Sequence, residues 1–146
     1  SMEVPEGSYE VPLGKAAVRR SGNDLTIVAI SRMVHEAMSA ADKLGELGLD
    51  VEVIDARSIS PFDTETVVNS IKKTHRALIV HEAVKFGGFG GEITAQIQEE
   101  AFDYLDAPVM RVGAPFCPVP FSPALEQIYM PNADAIVAKV KETLEL

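Results

Sequence analysis

The chain has 146 residues, 47% of them hydrophobic and 24% charged, the proportions of one globular domain with volume enough for a real core. Its formal net charge of -9 repels phosphate backbones and anionic lipid, which sets aside nucleic acid and membrane surfaces as partners and would suit a basic protein. The single cysteine, Cys117, rules out an intrachain disulfide; with no signal-peptide pattern and no apolar run near the roughly 20 residues that span a bilayer, the chain reads as cytoplasmic.

Ser1-Met2 reads as a cloning scar, so a fragment of a longer polypeptide is expected. Residues 1–14 carry prolines and glycines without periodicity and read as a linker or arm, leaving 15–146 as the domain. Lys15–Arg20 is a short strand, Ser21-Gly22-Asn23-Asp24 a turn, and Leu25–Ile30 a buried strand. So short a turn predicts that these two strands pair antiparallel. Ser31 is placed to cap a helix whose Val34, Ala37, Met38, Ala41 and Leu44 share one face, with Gly48 as its stop. Val51–Ile54 is the next strand, and Asp63 caps a helix with Val67, Val68 and Ile71 inward. Ala77–Val80 is a third buried strand, and the helix after the glycine cluster carries Ile93, Ile97, Ala101 and Leu105 on one stripe. Pro108–Val112 is a short last strand. The proline-rich passage that follows forbids a long helix or a central strand, and a final helix from Asn132 buries Ala133, Ile136, Val137, Val140 and Leu144.

Strands alternating with amphipathic helices predict an α/β fold: a three-layer α/β/α sandwich on a mostly parallel five-stranded sheet, with one antiparallel edge strand. In such sheets ligands and partners gather outside the carboxyl ends of the strands, so the exits at Asp55–Asp63 and His81–Ile93 are the first places to look for function.

The chemistry there is sparse. His35-Glu36 and His81-Glu82 begin like a zinc-protease helix motif, but Ser39 and Lys85 stand where the second histidine belongs. Read as G-x-G-x-x-G from Gly88, the glycine cluster ends at Ile93, and it holds no Gly-Lys-Ser/Thr. Its glycines therefore serve sharp turning and close packing against a neighbouring element or subunit, in preference to anion binding. His81 and Glu82 are adjacent on a strand and point to opposite sides, so they form no dyad. Asp55 and Arg57 could pair within a loop braced by internal hydrogen bonds. No nucleophile elbow or catalytic set emerges.

Taken together, these segments resemble a known family. Asp55-Ala56-Arg57-Ser58-Ile59-Ser60-Pro61-Phe62-Asp63 is similar to the D-x-R-x-x-x-P-x-D segment of the transketolase C-terminal domain. His81-Glu82-Ala83 with Gly87-Gly88-Phe89-Gly90-Gly91-Glu92-Ile93, and the tail from Arg111-Val112-Gly113 through Pro115, Pro118, Pro120 and Pro123, resemble the beta subunit of thiamine-diphosphate-dependent 2-oxo acid dehydrogenases. Phe121-Ser122-Pro123-Ala124-Leu125-Glu126 looks most like the acetoin and pyruvate dehydrogenase types, with the branched-chain type left open. The resemblance runs from about Leu13 to the C-terminus.

What it implies is an assembly domain without catalytic, cofactor-binding or metal residues of its own. Thiamine diphosphate and magnesium are expected only in the full enzyme, which decarboxylates a 2-oxo acid or cleaves acetoin and passes the acyl group to lipoamide. The implied partners are an alpha subunit, a second beta subunit and a lipoyl acyltransferase core, and a homodimer of the isolated domain is left open. Interface candidates are His81, Glu82, Phe86, Gly87, Gly88, Phe89, Gly90 and Gly91. Glu142, Glu145 and Leu146 are candidates for docking a basic module of the acyltransferase. The competing reading is a self-contained binding or catalytic domain that uses a crevice near Ser31, Asp55 and His81.

Overall fold

The computed structural model describes residues 6–146. The expectations placed on residues 1–5, the scar at Ser1-Met2 and the start of the arm, lie outside the described residues; residues 6–14 hold no helix or strand. Five strands follow: β1 (Ala17–Arg20), β2 (Leu25–Ala29), β3 (Val51–Asp55), β4 (Ala77–Val84) and β5 (Met110–Ala114). They form one sheet in the order β1-β3-β2-β4-β5, parallel except for β1. Helices α1 (Met33–Glu46) and α5 (Ala133–Thr143) cover one face. Helices α2 (Thr64–Thr74) and α3 (Gly90–Ala101) cover the other, and α4 (Pro123–Tyr129) is a short turn of helix before α5. This is the α/β/α sandwich that the alternation predicts.

The centre of the sheet belongs to β2 because all five of its residues are buried, so both of its edges and both of its faces need cover. Its Leu25 and Ile27 meet Met33, Ala37 and Leu44 of α1 and Ile136 and Val140 of α5. On the far face Val28, Ile54 and Ile79 pack against Val67, Ile71, Ile93 and Ile97. The inward stripes expected for α1, α2, α3 and α5 all lie in these two clusters.

The partner of β1 differs from expectation. It pairs antiparallel with β3, Ala17 opposite Asp55, and not with β2. Residues 21–24 therefore cross the start of β3 instead of turning back, a span of roughly 10 Å over two strand spacings. Gly22 makes the crossing possible: a Cβ there would lie 2.2 Å from the carbonyl carbon of Val51. The link is fastened by Asn23 N and Asp24 N, both donating to Asp50 O at 2.8 Å. With two arginines and outer residues only half buried, β1 suits an edge. Its register slips between Val18 and Arg20, so the ladder to β3 is short and irregular.

Local caps follow the sequence where the partner is close in the chain. Asn132 Oδ1 accepts from Ala135 N at 3.0 Å, and Asp63 Oδ1 from Thr66 N at 3.2 Å. Gly48, at φ +80°, closes α1 with Gly48 N to Gly45 O and Leu49 N to Leu44 O, the paired bonds of a Schellman stop. Ser31, by contrast, does not cap with its hydroxyl. It sits at φ +57°, and α1 opens through backbone bonds from Met33 N to Ile30 O and Val34 N to Ser31 O. Strand limits also move by one to four residues, most of all in β4, which runs on past His81 to Val84, and β5, which spans Met110–Ala114.

A buried polar seam lies between β2, β3 and α2. Thr26 Oγ1 shares hydrogen bonds with Ser70 Oγ (2.5 Å) and Thr74 Oγ1 (2.7 Å). Ser70 Oγ donates to Glu52 Oε1, while Lys73 Nζ and Gly22 N donate to Oε2 at 2.5 and 3.3 Å. Every oxygen of the buried Glu52 carboxylate is thus occupied, which is the condition for keeping a charge out of water.

Candidate functional site

All four parallel strands end at the same edge, and each exit there has its own chemistry. After β3, Asp55 is committed to structure. Its Oδ2 accepts from Arg19 Nη2 at 2.7 Å and Nε at 3.1 Å, and Oδ1 accepts from Arg57 N at 3.1 Å. The expected Asp55–Arg57 ion pair is therefore replaced by Asp55–Arg19. Arg57, at φ +59°, turns its exposed side chain elsewhere. The loop beyond is braced as the sequence suggests: Ser58 Oγ donates to Pro61 O at 2.7 Å and accepts from Gly14 N at 3.0 Å. Asp63 then receives Ala16 N (2.9 Å) and Thr66 Oγ1 (2.8 Å). Burial raises the Asp63 pKa, but these hydrogen bonds and the charge of Lys15 outweigh it and hold the carboxyl below its usual 3.8.

The second half of β4 bulges. Val80 is level with Val112 of β5 and Val84 with Ala114, so four steps on β4 match two on β5. Within the bulge His81 is wholly buried, on the α2/α3 face set by the alternation of Ile79 and Val80. Its ring stacks at a tilt on Phe89, 4.7 Å between centroids, and three glycines admit it. A Cβ on Gly90 would lie 2.4 Å from its Nε2, and one on Gly88 or Gly113 would lie 2.9 Å from Cε1. Neither ring nitrogen has a full hydrogen bond. Burial holds the His81 pKa below 6.5; the Ala83 backbone opposes this and the charge of Arg111 adds to it, so the ring is neutral.

Asp55 follows the alternation of Val51 and Val53 and lies on the α1/α5 face, opposite to His81. Ser31, Asp55 and His81 share an edge of the sheet but do not converge, so the crevice reading finds no assembled site. Among the described residues no group of three His, Cys, Asp or Glu side chains is arranged to hold a metal, and no helix is long and apolar enough to cross a membrane.

What the edge does offer is apolar surface. Phe86 and Phe116 meet edge-to-face at 5.1 Å and are each 73% exposed. They wall a trough of about 540 Å³ with Lys85, Arg111, Gly113 and Pro115. Beyond it Val119, Phe121, Leu125 and Ile128 are exposed in succession, and Phe121 touches nothing that covers it. So many large apolar side chains left exposed along one stretch of chain favour an interaction surface.

The structure divides the interface candidates. Phe86 and Gly87 are exposed on this surface, and Glu82, Gly88, Phe89 and Gly91 are part-buried at its margin. His81 and Gly90 are sealed beneath it. Phe116, Val119, Phe121, Leu125 and Ile128 are absent from the candidates named from sequence. The signal was available: apolar residues threaded among prolines cannot join a sheet or a long helix, so little is left to bury them. At the opposite end of the molecule, Glu142 is engaged by Lys139 Nζ at 2.5 Å, Glu145 is exposed, and Leu146 N donates to Lys141 O.

Known proteins match this chain closely. The family described as the transketolase C-terminal domain matches residues 14–136. The acetoin:2,6-dichlorophenolindophenol oxidoreductase subunit beta of Bacillus subtilis is 45% identical over 142 residues, covering 97% of this chain and 42% of the relative. The pyruvate dehydrogenase E1 component subunit beta of the same organism is 43% identical over 143 residues, covering 98% and 44%. The chain thus spans somewhat under half the length of the curated relatives it matches. Among solved structures, a split-gene transketolase in an inactive beta4 tetramer superposes with a TM-score of 0.83 at 31% identity, covering 99% of this chain and 46% of that one. A 2-oxoglutarate:ferredoxin oxidoreductase shares the fold at a TM-score of 0.62 and 15% identity. With the predicted sandwich, the antiparallel edge strand and the braced loop from Asp55 to Asp63 all present, the chain belongs to the transketolase C-terminal domain family.

Proposed function

We propose that this chain is the assembly domain of a beta subunit in a thiamine-diphosphate-dependent 2-oxo acid dehydrogenase of the pyruvate or acetoin type. The observation that carries the proposal is the exposed apolar edge from Phe86 and Phe116 to Ile128, beside strand exits whose polar groups are sealed or committed. An enzyme site needs converging polar groups in a pocket, whereas this edge presents exposed apolar side chains, which supports a role in meeting a partner. The beta-subunit relatives support the reading, and so does the beta4 assembly of the structural neighbour.

On this reading the edge meets an alpha subunit and a second beta subunit in the cytoplasm. Thiamine diphosphate and magnesium are held outside this domain. The whole enzyme decarboxylates a 2-oxo acid or cleaves acetoin and transfers the acyl group to lipoamide. The end of α5, with Glu142, Glu145 and the Leu146 carboxylate, offers acid to a basic module of the lipoyl acyltransferase core.

Two measurements test this. Calorimetry of the chain with thiamine diphosphate and magnesium is expected to show no binding; micromolar affinity would overturn the assembly reading. Phe116→Asp with Phe121→Asp is expected to abolish co-sedimentation with the alpha subunit at an unchanged melting temperature. Full retention of the complex by that variant would equally overturn it.

A further inference from the structure

We infer that residues 85–91 form a hinged cover over His81 that opens in mild acid, before the rest of the domain unfolds, and carries Phe86 with it. This goes beyond assembly: it gives the domain its own response to protons, one that needs no partner to be seen.

The closed cover suits only the neutral ring. His81 is wholly buried, and neither ring nitrogen has a full hydrogen bond among the described residues. Cβ positions on Gly88 and Gly90 would fall 2.9 Å from its Cε1 and 2.4 Å from its Nε2, so the packing leaves no space for water there. The surrounding charge is also of the wrong sign. From β5 comes Arg111, whose Nη1 donates to Lys85 O at 3.1 Å. From α3 comes the positive end of the helix, at Gly90; Glu92 in its first turn is exposed and accepts from Gln96 Nε2. On this face β2 and α2 contribute apolar Val28, Val67 and Ile71. On the strand of His81 itself, Glu82 is part-buried and in no ion pair among the described residues, and Lys85, just beyond its end, is exposed. Burial and the charge of Arg111 together oppose the imidazolium.

The cover is also lightly fixed. Residues 85–89 belong to no helix or strand, residues 85–87 are exposed, and Gly87 turns at φ +71°. The pairing of β4 with β5 skips residues 81–83. The turn is therefore held by Lys85 N donating to Ala114 O at one end and Ile93 N to Phe89 O at the other, at 2.9 and 3.1 Å. Few buried contacts and exposed backbone let such a segment open apart from the rest. Opening gives both ring nitrogens water and returns the imidazole to its ordinary pKa of 6.5. The closed-state value is lower, so as pH falls below 6.5 the open form takes the proton first and gains population. An open-state pKa of 6.5 limits that gain to about 30-fold at pH 5. His35 and His75 are exposed already, so neither changes surroundings when the cover moves.

Amide hydrogen exchange of the chain, followed by NMR between about pH 5 and 8 and corrected for the intrinsic rate at each pH, tests this. The Lys85 and Ile93 amides read the cover. The Thr26 amide, which donates to Arg76 O at 2.9 Å in the middle of the sheet, reads global unfolding. Protection at Lys85 and Ile93 is expected to lie at least about tenfold below that at Thr26 and to fall about 3- to 30-fold from pH 8 to pH 5. In His81→Leu, shown by its melting curve to be folded, it should change less than about twofold over the same range, and His81→Gln should behave alike. If neither variant folds, the parent's pH slope decides alone. Protection at Lys85 and Ile93 equal to that at Thr26, a cover indifferent to pH, or a slope that persists without the imidazole would overturn the inference. The assembly reading would survive any of these results, because it stands on the alpha-subunit and cofactor measurements.

Discussion

Replacing Gly22 by alanine tests the crossing that places β1 outside β3. The added Cβ would sit 2.2 Å from the Val51 carbonyl carbon and 2.4 Å from Glu52 N, both backbone atoms that no rotamer change can move. An ordinary contact needs about 3.4–4 Å, so residues 21–24 must lift off β3 by more than 1 Å. That displacement breaks the bonds from Asn23 N and Asp24 N to Asp50 O and from Gly22 N to Glu52 Oε2. At about 1 kcal/mol net for each of these three, the expected loss is about 3 kcal/mol, or roughly 6–12 °C in melting temperature for a domain of this size. Urea unfolding followed by circular dichroism measures it, with a midpoint lowered by at least about 1 M and an unchanged m-value. Gly48→Ala is the control. Gly48 has φ +80° but open space at the Cβ position, so only the left-handed backbone cost of about 1 kcal/mol applies. A Gly22→Ala protein within about 0.5 kcal/mol of the parent, or no less stable than Gly48→Ala, would refute the crossing argument.

Lys73→Met leaves the Glu52 carboxylate buried without its cation. The expected loss is about 2–3 kcal/mol, reduced from the cost for a fully buried pair because the Lys73 side chain is 42% exposed. Adding Glu52→Gln should recover part of it in the same urea assay. Gly90→Ala drives a methyl into the His81 ring and is expected to cost about 1–3 kcal/mol, with a smaller increment in a His81→Ala background. Stability should also fall with pH in two windows. His81 and Asp63 have folded pKa values below 6.5 and 3.8, so in each window the unfolded chain binds the extra proton. The His81 contribution is intact above about pH 6.5 and is lost as pH falls toward its lower folded value; the Asp63 contribution behaves likewise below about pH 4. His81→Leu should flatten the upper slope and Asp63→Asn the lower, as read from urea midpoints against pH.

Apart from Ser31, sequence and structure agree where the deciding partner is a few residues away. Asp63 and Asn132 cap, Gly48 stops a helix, and the apolar stripes face inward, because capping and periodicity are local. They part where the partner is distant. Arg19 reaches Asp55 across 36 residues, and no spacing rule distinguishes that from the nearer Arg57. The edge position of β1 depends on Gly22 lying flat on Val51, a contact absent from any turn signature. Ser31 looks like a cap and fails because the turn before α1 satisfies its own backbone. At the candidate site, the glycine cluster reads correctly as a packing device, but the object packed is the His81 ring. The resemblance pointed to an interface, yet the exposed aromatic run from Phe116 to Phe121 passed as mere proline-rich connection.

The irregular ladder of β1 bears on how copies of this molecule can meet. An open sheet has two free margins along which another backbone could add a strand and continue without limit. On the β1 side the register slip and the arginines held by Asp55 and Asp42 interrupt the row of free amides and carbonyls. Growth by strand addition is blocked there. A second copy approaching that margin finds side chains to meet and no ready backbone ladder to extend.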